Sequence, residues 1–296
     1  MRVYVTGAGG FVGGHVARRL AESGAEVRTG RADLLDPDAL GRAVAGCDAV
    51  VHVAALYSYD ASAAELERVN VVGTRNVVEA CVRAGVGRLV HTSTAGTCGP
   101  VPGREATEED APPAYELGVP YKRTKLAAER LVLEAARGVL DAVVVNPTTP
   151  VGEGDAKPTP TGRMVRGVAT GRIRAFLHTA GLNVVDVRDV AEGHALALER
   201  GRRGERYLLG GENVTLEELF ARIAGAAGRP APRVRVPYAA ARAAAVVRLA
   251  NRDEVRLARL PMWFSSAKAS AELGYDPAPA DDAIERAVAD ALGDGA

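Results

Sequence analysis

The amino-acid sequence predicts an α/β protein with a doubly wound parallel sheet and a small carboxyl-terminal cap lobe. Short runs of β-branched residues alternate with longer amphipathic stretches. Two of the short runs, 50–55 (VVHVAA) and 142–146 (AVVVN), are almost uniformly apolar, as expected for strands buried on both faces. Repeated strand–helix–strand order then predicts parallel strands with right-handed crossovers and helices on both faces.

The same patterns delimit the elements in chain order. The predicted strands are Arg2–Thr6, Glu26–Thr29, Ala49–Val53, Arg88–Ser93 and Ala142–Asn146. The predicted helices are Phe11–Ser23, Pro37–Ala45, Ala63–Ala84 and Tyr121–Arg137. Ligands of such sheets bind outside the carboxyl ends of the strands, so we expect the functional residues to lie there.

The residue composition of the sequence changes after Pro147. Residues 150–162 are rich in Pro, Gly and Thr and predict a loop, whereas Val184–Arg200 predicts a strand and a helix that add to the sheet. Tyr238–Leu260 predicts one Ala- and Arg-rich helix. We therefore expect residues 1–150 with 184–210 to form the sheet domain, and residues 151–183 with 211–296 to form the cap lobe.

Composition limits the functions to consider. The 296 residues are 47% hydrophobic and hold 37 basic and 37 acidic side chains, so no basic excess favours nucleic acid or a membrane as partner. The three cysteines lack the spacing of a disulfide framework or a metal site, and the histidines are dispersed. With no leader pattern before the first strand, we expect a cytoplasmic protein without a metal.

A glycine-rich segment, GAGGFVGG, joins the first strand to the first helix. Gly7, Gly10 and Gly13 are spaced three apart, and Phe11 and Val12 lie between the last two. Glycines in this context let a pyrophosphate approach the backbone N–H groups at the helix amino terminus. The segment predicts that the first 150 residues are a Rossmann domain that binds a dinucleotide.

The end of the second strand bears on which dinucleotide binds. An acidic residue there selects NAD through the ribose hydroxyl, whereas an arginine accommodates the 2′-phosphate of NADP. This chain has Thr29, Gly30 and Arg31 in that place, which favours NADP over NAD with Arg31 or Arg28 as the phosphate contact. Asp33 follows and is a candidate for the adenine amino group.

A second motif, YKRTK, predicts the catalytic chemistry. Tyr121 and Lys125 lie four residues apart on one helical face, where an ammonium group would favour the phenolate. Such a phenol can give or take a proton while a hydride moves at carbon. The segment HTSTAGT ends the preceding strand, and its hydroxyls could bind the substrate oxygen.

Together, TGAGGFVG, DLLDP, HVAAL, NVVGTRN, HTSTAGT, YKRTK and NPTTPVG make the chain resemble the extended short-chain dehydrogenase/reductase family. It looks most like the branch of dihydroflavonol reductases and hopanoid-associated sugar epimerases. The resemblance implies that Tyr121 is the acid/base, that Lys125 holds the nicotinamide ribose, and that Thr94, beside Ser93, supplies the catalytic hydroxyl. It further implies cofactor or site roles for Asn70, Leu34, Ala54, Ala55, Pro147 and Thr148.

Two departures from the family pattern concern binding. The segment between the second strand and DLLDP is shortened to TGRA, which predicts a more open adenosine pocket. In LNVVDVRDV, Leu182 stands where nucleotide-sugar enzymes often have a diphosphate-binding arginine, and Asp186 replaces a histidine. Tyr57, Tyr59, Thr94 and His178 are the candidate substrate contacts.

Three functions remain open at this stage. The chain could be a reductase or dehydrogenase with net redox of a small organic substrate, a sugar epimerase with tightly bound cofactor, or a dinucleotide sensor without activity. The retained Tyr121, Lys125 and Thr94 argue against the sensor. The family resemblance also implies a homodimer formed through Ala63–Ala84 and Tyr121–Arg137.

Overall fold

The computed structural model describes residues 1–247 and 250–293. Its strands are β1 (Arg2–Thr6), β2 (Glu26–Thr29), β3 (Ala49–His52), β4 (Arg88–Thr92), β5 (Ala142–Pro147), β6 (Thr149–Val151), β7 (Ala175–Leu177), β8 (Gly181–Asp186), β9 (Arg206–Leu209), β10 (Glu212–Thr215) and β11 (Val234–Val236). Six of them form a parallel sheet in the order β2-β1-β3-β4-β5-β9. The predicted parallel sheet is confirmed.

Twelve α-helices are described in these two ranges. They are α1 (Phe11–Glu22), α2 (Pro37–Val44), α3 (Ala63–Leu66), α4 (Gly73–Ala84), α5 (Pro120–Arg137), α6 (Pro160–Ala169), α7 (Val187–Arg200), α8 (Leu216–Ala226), α9 (Tyr238–Val246), α10 (Arg252–Leu257), α11 (Ala267–Leu273) and α12 (Asp281–Gly293). The long helix predicted for 63–84 is α3 and α4 joined by a π-helical turn, Glu67–Val72. No described helix is long and apolar enough to span a membrane.

The sheet is covered on both faces because successive strand residues point to opposite sides. Val3 and Val5 of β1 pack in one core with Leu20 of α1, whereas Tyr4 packs in the other with Leu40 of α2. Helices α1 and α7 cover the first face, and α2, α4 and α5 cover the second. This doubly wound arrangement leaves the carboxyl ends of β1, β3, β4 and β5 open for a ligand.

The prediction that the strand beginning near Val184 joins the main sheet is wrong. This strand, β8, lies in a second sheet of order β10-β8-β6, where it pairs with β6 in parallel and with β10 in antiparallel. The position beside β5 is occupied by β9, with Val144 opposite Arg206. Helix α7, which follows β8, does return to the main sheet and packs against α1.

We call the described residues of 151–183 and 211–293 the substrate-side lobe, and within that range α11 packs against α7 and the main sheet. Helices α6, α8 and α12 share a core with β8 that includes Phe220 and Ile284. The predicted loop 150–162 is shorter than expected, because β6 and α6 take its two ends. The single helix predicted for 238–260 is also wrong, since the Asn251 side chain accepts hydrogen bonds from the N–H groups of Asp253 and Glu254 and begins a separate helix, α10. Of that predicted helix, residues 248 and 249 lie outside the described residues, and the domain limits stay a prediction.

Candidate active site

The glycine-rich turn between β1 and α1 leaves no room for side chains at two positions. Gly7 has φ +71°, and a Cβ there would lie 2.7 Å from the Ala54 backbone nitrogen. A Cβ on Gly13 would lie 2.1 Å from the Gly7 carbonyl oxygen. Gly10 precedes α1 and offers no capping side chain, so the N–H groups of the first helical turn remain available to a ligand. This backbone cradle fits the pyrophosphate of a dinucleotide.

One cavity of about 950 Å³ lies over the carboxyl ends of the parallel strands. The structure brings most of the sequence-predicted site residues together in its wall. These are Gly7, Gly10, Phe11, Val12, Gly13, Leu34, Ala54, Ala55, Tyr57, Tyr59, Ser93, Thr94, Tyr121, Lys125, Pro147 and Thr148. A ligand in this cavity can therefore contact the glycine-rich turn and the YKRTK motif at once.

Five predicted residues do not line this cavity, and one of them, Arg28, is exposed in β2. Arg31 and Asp33 are exposed, and Asp33 accepts a hydrogen bond from the N–H of Leu35 two residues later. His178 is also exposed, with Nδ1 3.4 Å from the Val236 carbonyl oxygen. Asn70 is buried in the π-helical turn below the cavity. The predicted substrate contact of His178 is thus not part of this wall.

Tyr121 is the second residue of α5, and Lys125 follows one turn later. Lys125 is 3% exposed, and its Nζ donates a 2.7 Å hydrogen bond to the carbonyl oxygen of Thr92. Burial lowers the pKa of Lys125 to about 8, against a smaller opposing effect of Glu129. The pKa of Tyr121 is raised by burial and by Tyr57. The lowered phenol pKa expected from Lys125 is not found, and Tyr121 is a protonated phenol at neutral pH.

Two tyrosines that follow β3 pack directly against Tyr121. The Tyr57 ring lies 4.7 Å from the Tyr121 ring between centroids, at 35°, and the Tyr59 ring lies 6.0 Å away at 86°. Tyr57 and Tyr59 also contact each other edge to face. Both predicted substrate residues thus lie beside the candidate acid/base.

Thr94 and Ser93 present two hydroxyl groups at the end of β4. Thr94 Oγ1 accepts a 3.2 Å hydrogen bond from the N–H of Gly96, which leaves its proton available to a ligand oxygen. Ser93 Oγ is buried and has no hydrogen-bond partner in the described protein. An unpartnered hydroxyl in a cavity wall is costly unless a ligand or water binds it. Both hydroxyls suit a polar ligand group next to Tyr121.

Comparison with known proteins identifies the family. The sequence profile described as the NAD dependent epimerase/dehydratase family matches residues 3–210. The chain belongs to this family.

Its relatives extend over nearly the whole chain. A protein of Synechocystis sp. named as a dihydroflavonol 4-reductase is 37% identical over 98% of this chain and 93% of its own length. The crystal structure of gox2253 is 40% identical, with a TM-score of 0.88 over 99% of this chain and 98% of the other. The UDP-glucose 4-epimerase of Thermus thermophilus in complex with NAD is 28% identical, with a TM-score of 0.81 over 99% of both chains. This epimerase/dehydratase-family protein is an NAD(P)-dependent oxidoreductase of the extended short-chain dehydrogenase/reductase type.

In this enzyme, Thr94 is held by a buried polar network that the sequence did not predict. Asn146 Nδ2 lies 3.1 Å from the Thr94 carbonyl oxygen and 2.8 Å from Glu129 Oε2. Glu129 also accepts hydrogen bonds from Thr97 Oγ1 at 2.7 Å and from Arg206 at 2.9 Å. Glu129 lies four residues after Lys125 on the same buried face of α5. A charged residue among the apolar residues of that face was the feature of the sequence that could have indicated the network.

A buried ion pair lies next to Tyr121 in sequence. Lys122, 4% exposed, forms an ion pair with the fully buried Glu116 and also donates to the Gly99 carbonyl oxygen. A Cβ on Gly96 would lie 2.7 Å from the Lys122 side chain, so this lysine packs under the turn that follows Thr94. The pair therefore ties the start of α5, where Tyr121 lies, to the loop that carries the hydroxyls.

Asn70 fixes the segment that leads to Tyr57. Its side-chain amide donates to the Leu56 carbonyl oxygen at 3.1 Å and to Thr124 Oγ1 at 3.3 Å, while its oxygen accepts from the Leu56 N–H at 2.7 Å. The π-helical turn places this amide between the β3 loop and α5. Asn70 thus positions Leu56 relative to α5.

Buried histidines lie under the cavity on the same sheet. His52 Nδ1 lies 2.8 Å from Thr6 Oγ1 and Nε2 lies 3.1 Å from Thr74 Oγ1. Since Thr74 donates to the Asn70 carbonyl oxygen and Thr6 accepts from the Ala54 N–H, these contacts assign the proton of His52 to Nε2. His91 is equally buried, yet neither of its ring nitrogens has a partner in the described protein. Burial lowers the pKa of His52 to about 3 and holds His91 well below its usual pKa.

The cysteines and potential metal ligands are not gathered at this site. Cys47, Cys81 and Cys98 are free and buried. Within residues 1–247 and 250–293, no group of three or more His, Cys, Asp or Glu side chains is arranged to hold a metal ion.

Proposed function

We propose that this enzyme reduces a ketone, or oxidises the corresponding alcohol, with net consumption of NADP(H). The observation that carries the proposal is the common wall of one cavity, which joins the glycine cradle to Tyr121, Lys125 and Thr94. The cofactor supplies or accepts the hydride when bound. In the reductive direction the ketone gains that hydride at carbon and a proton at oxygen, which balances the step.

Each residue has a role that its contacts support. Tyr121, with its raised pKa, donates the proton to the carbonyl oxygen. Thr94 Oγ1 donates to the same oxygen and stabilises the charge that develops there, with Ser93 Oγ beside it. Lys125 would hold the nicotinamide ribose, since its ammonium group lines the cavity beside Tyr121.

The remaining predicted cofactor contacts follow the course of the cavity. Gly7, Gly10 and Gly13 would hold the pyrophosphate, with Phe11 and Val12 in the first turn of α1. Leu34 would contact the adenine, Ala54 and Ala55 the adenosine ribose and phosphates, and Pro147 and Thr148 the nicotinamide.

The NADP preference rests on Arg31. This residue is exposed after β2 and makes no hydrogen bond or ion pair within the described protein, so its guanidinium group can bind a 2′-phosphate. Arg28, the other candidate, donates to the Ala45 carbonyl oxygen and pairs with Glu26. Arg31 is therefore the better phosphate contact of the two.

Titration of the purified enzyme with NADP⁺ and NAD⁺ tests this assignment. We expect Arg31→Ala to weaken NADP⁺ binding about tenfold and to leave NAD⁺ binding unchanged, because a charge-assisted contact is lost. Arg28→Ala is the matched control and should change neither affinity. Equal loss of both cofactors in Arg31→Ala would contradict a 2′-phosphate contact.

A sugar epimerase is the second candidate function, since UDP-glucose 4-epimerase shares the fold and 28% identity. The two functions differ in cofactor turnover. With NADPH and a panel of ketones and β-keto esters, we expect one NADPH oxidised for each alcohol formed, and free exchange of bound cofactor with added NADP⁺. Cofactor that stays bound through purification, with no NADPH consumed by any ketone, would favour the epimerase.

The homodimer and the cytoplasmic location remain predictions. A homodimer would bury α4 and α5, where Val82 is 42% exposed. Sedimentation of the enzyme should give a mass of about twice 30.8 kDa, and Val82→Glu should shift it to the monomer. A cytoplasmic location is likewise expected from the sequence.

A further inference from the structure

The part of the cavity that faces away from the glycine-rich turn is walled by aliphatic side chains from several elements of the substrate-side lobe. These include Met164 of α6, Ile173, Leu177 of β7, Leu182 of β8, Leu257 of α10 and Leu260. Leu182 forms an isolated bridge with Met262, so β8 and the segment after α10 are joined along this wall. Several chain segments thus converge to form one apolar surface.

The apolar chamber, as we call the space bounded by these six residues, is continuous with the acid/base. The Tyr57 ring packs on Tyr121 and also approaches Thr161 at the start of α6 and Glu254 of α10. Asn251 Nδ2, at the start of α10, lies 3.4 Å from Asp60 Oδ1. Asp60 belongs to the loop after β3 that also carries Tyr57. A molecule whose reacting carbon lies at Tyr121 therefore extends into the chamber.

The cationic side chains of the described cavity wall already have partners. Lys122 pairs with Glu116, and Lys125 donates to the Thr92 carbonyl oxygen. Arg163 donates to the Pro158 carbonyl oxygen and lies near enough to Glu254 to oppose the burial that raises its pKa. Among the described residues of this wall, a diphosphate would thus meet cations that already have partners. A diphosphate packed against these aliphatic side chains would also lose its hydration water, and this desolvation costs free energy.

We propose that the substrate of this enzyme carries a large apolar body, an alkyl chain or fused rings of similar bulk, and no phosphate group. This inference rests on the proposed function, because it places the carbonyl or hydroxyl carbon at Tyr121 and the apolar body in the chamber. Burial of that body against Met164, Leu182 and Leu260 supplies affinity in proportion to its apolar area. Specificity then lies in the length and bulk of the substrate.

Binding to the enzyme–NADP⁺ complex tests the inference without turnover. The probes are the methyl ketones from 2-butanone to 2-nonanone, 2-decalone as a ring compound, and UDP, each titrated by calorimetry. We expect the dissociation constant to fall about fourfold for each added methylene. Tighter binding of 2-decalone than of 2-nonanone would assign a ring-shaped body, and the reverse would assign a chain.

The outcomes separate this inference from the proposed function. If NADP⁺ binds but ketone affinity does not rise with length, or UDP binds more tightly than 2-nonanone, the apolar substrate is wrong while a reductase of small polar ketones survives. If NADP⁺ does not bind, the proposed function fails, and this inference fails with it.

Variants of residues in the apolar chamber test whether the ketone affinity arises there. Leu182→Arg should weaken 2-nonanone binding more than tenfold and leave NADP⁺ affinity within about twofold, whereas the volume-conserving Leu182→Met should retain the dependence on chain length. Val234→Arg is the control, since Val234 is 57% exposed in the same lobe and does not line the cavity. Leu260→Asn, on another segment, replaces Leu182→Arg if that variant does not fold. Unchanged 2-nonanone binding in a folded Leu182→Arg or Leu260→Asn protein would overturn the assignment.

Discussion

The parallel sheet and the substrate-side lobe contribute to one cavity in different ways. On the sheet side, the wall is made by backbone that must pass close to a ligand, with Gly13 against Gly7 and Gly7 against Ala54. On the lobe side, the wall is made by side chains such as Leu182 and Leu260, which come from distant parts of the chain. The difference teaches that the cradle we assign to the cofactor is encoded locally, in turn geometry, whereas the wall we assign to the substrate depends on tertiary packing.

The largest expected change in cofactor affinity tests the sheet side alone. Gly13→Ala places a methyl group 2.1 Å from the Gly7 carbonyl oxygen, so the turn must move. We expect NADP⁺ affinity to fall about a hundredfold, measured by calorimetry. Gly9→Ala is the control, because a Cβ there meets nothing within 4 Å, and its affinity should stay within about twofold. Normal cofactor binding by Gly13→Ala would contradict the claim that the sheet side binds the cofactor through the close backbone contacts of this turn.

A pH profile tests the role of the Lys125 charge, which lies between the sheet side and the lobe side of the cavity. Because burial lowers the pKa of Lys125 to about 8, its ammonium form is lost as the pH rises through that value. We expect kcat/KM for carbonyl reduction to be level below pH 8 and to fall about tenfold per pH unit above it.

Lys125→Arg should move that decline to higher pH, since arginine keeps its charge. Tyr121 stays protonated over the same range because its pKa is raised. A decline near pH 8 that persists unchanged in Lys125→Arg would assign it to another group.

A further expected effect concerns stability in acid. Burial lowers the pKa of His52 to about 3 and of His194 to about 4, and holds the pKa of His91 well below its usual value. Below pH 6.5 these histidines bind protons in the unfolded chain but stay neutral in the folded protein. The free energy of unfolding therefore falls as the pH falls. The expected loss approaches about 1.4 kcal/mol per pH unit for each histidine.

Hydrogen exchange between pH 6.5 and 5 checks this expectation. Protection should decline first in β3 and β4, which carry His52 and His91, while α8 in the substrate-side lobe keeps its own protection longer. His178→Gln, at an exposed position, should change nothing. Simultaneous loss of protection in both regions would show that they unfold as one unit.

The sequence predicted the sheet side well because its signals are local. Gly7, Gly10 and Gly13 mark a turn whose geometry follows from the absence of side chains, and Tyr121 with Lys125 lies within one helical turn. Apolar runs such as 142–146 identify buried strands directly, and all six residues of β5 are buried.

The lobe side could not be predicted in the same way. The partner of β8 depends on where the chain turns after β5, and the break between α9 and α10 depends on one cap, Asn251. The contact between Leu182 and Met262 joins residues 80 positions apart, and no periodicity indicates it. The Lys122–Glu116 pair was missed for a related reason, because charged residues at helical spacing are usually assigned to solvent.

The central claim is that Tyr121 donates the proton while the cofactor is held independently by the glycine-rich turn. Single-turnover oxidation of bound NADPH by a ketone, in the native enzyme and in Tyr121→Phe, tests it most directly. The account predicts a rate about a thousandfold lower in Tyr121→Phe, with NADPH affinity within about twofold. An unchanged single-turnover rate in Tyr121→Phe would contradict the account.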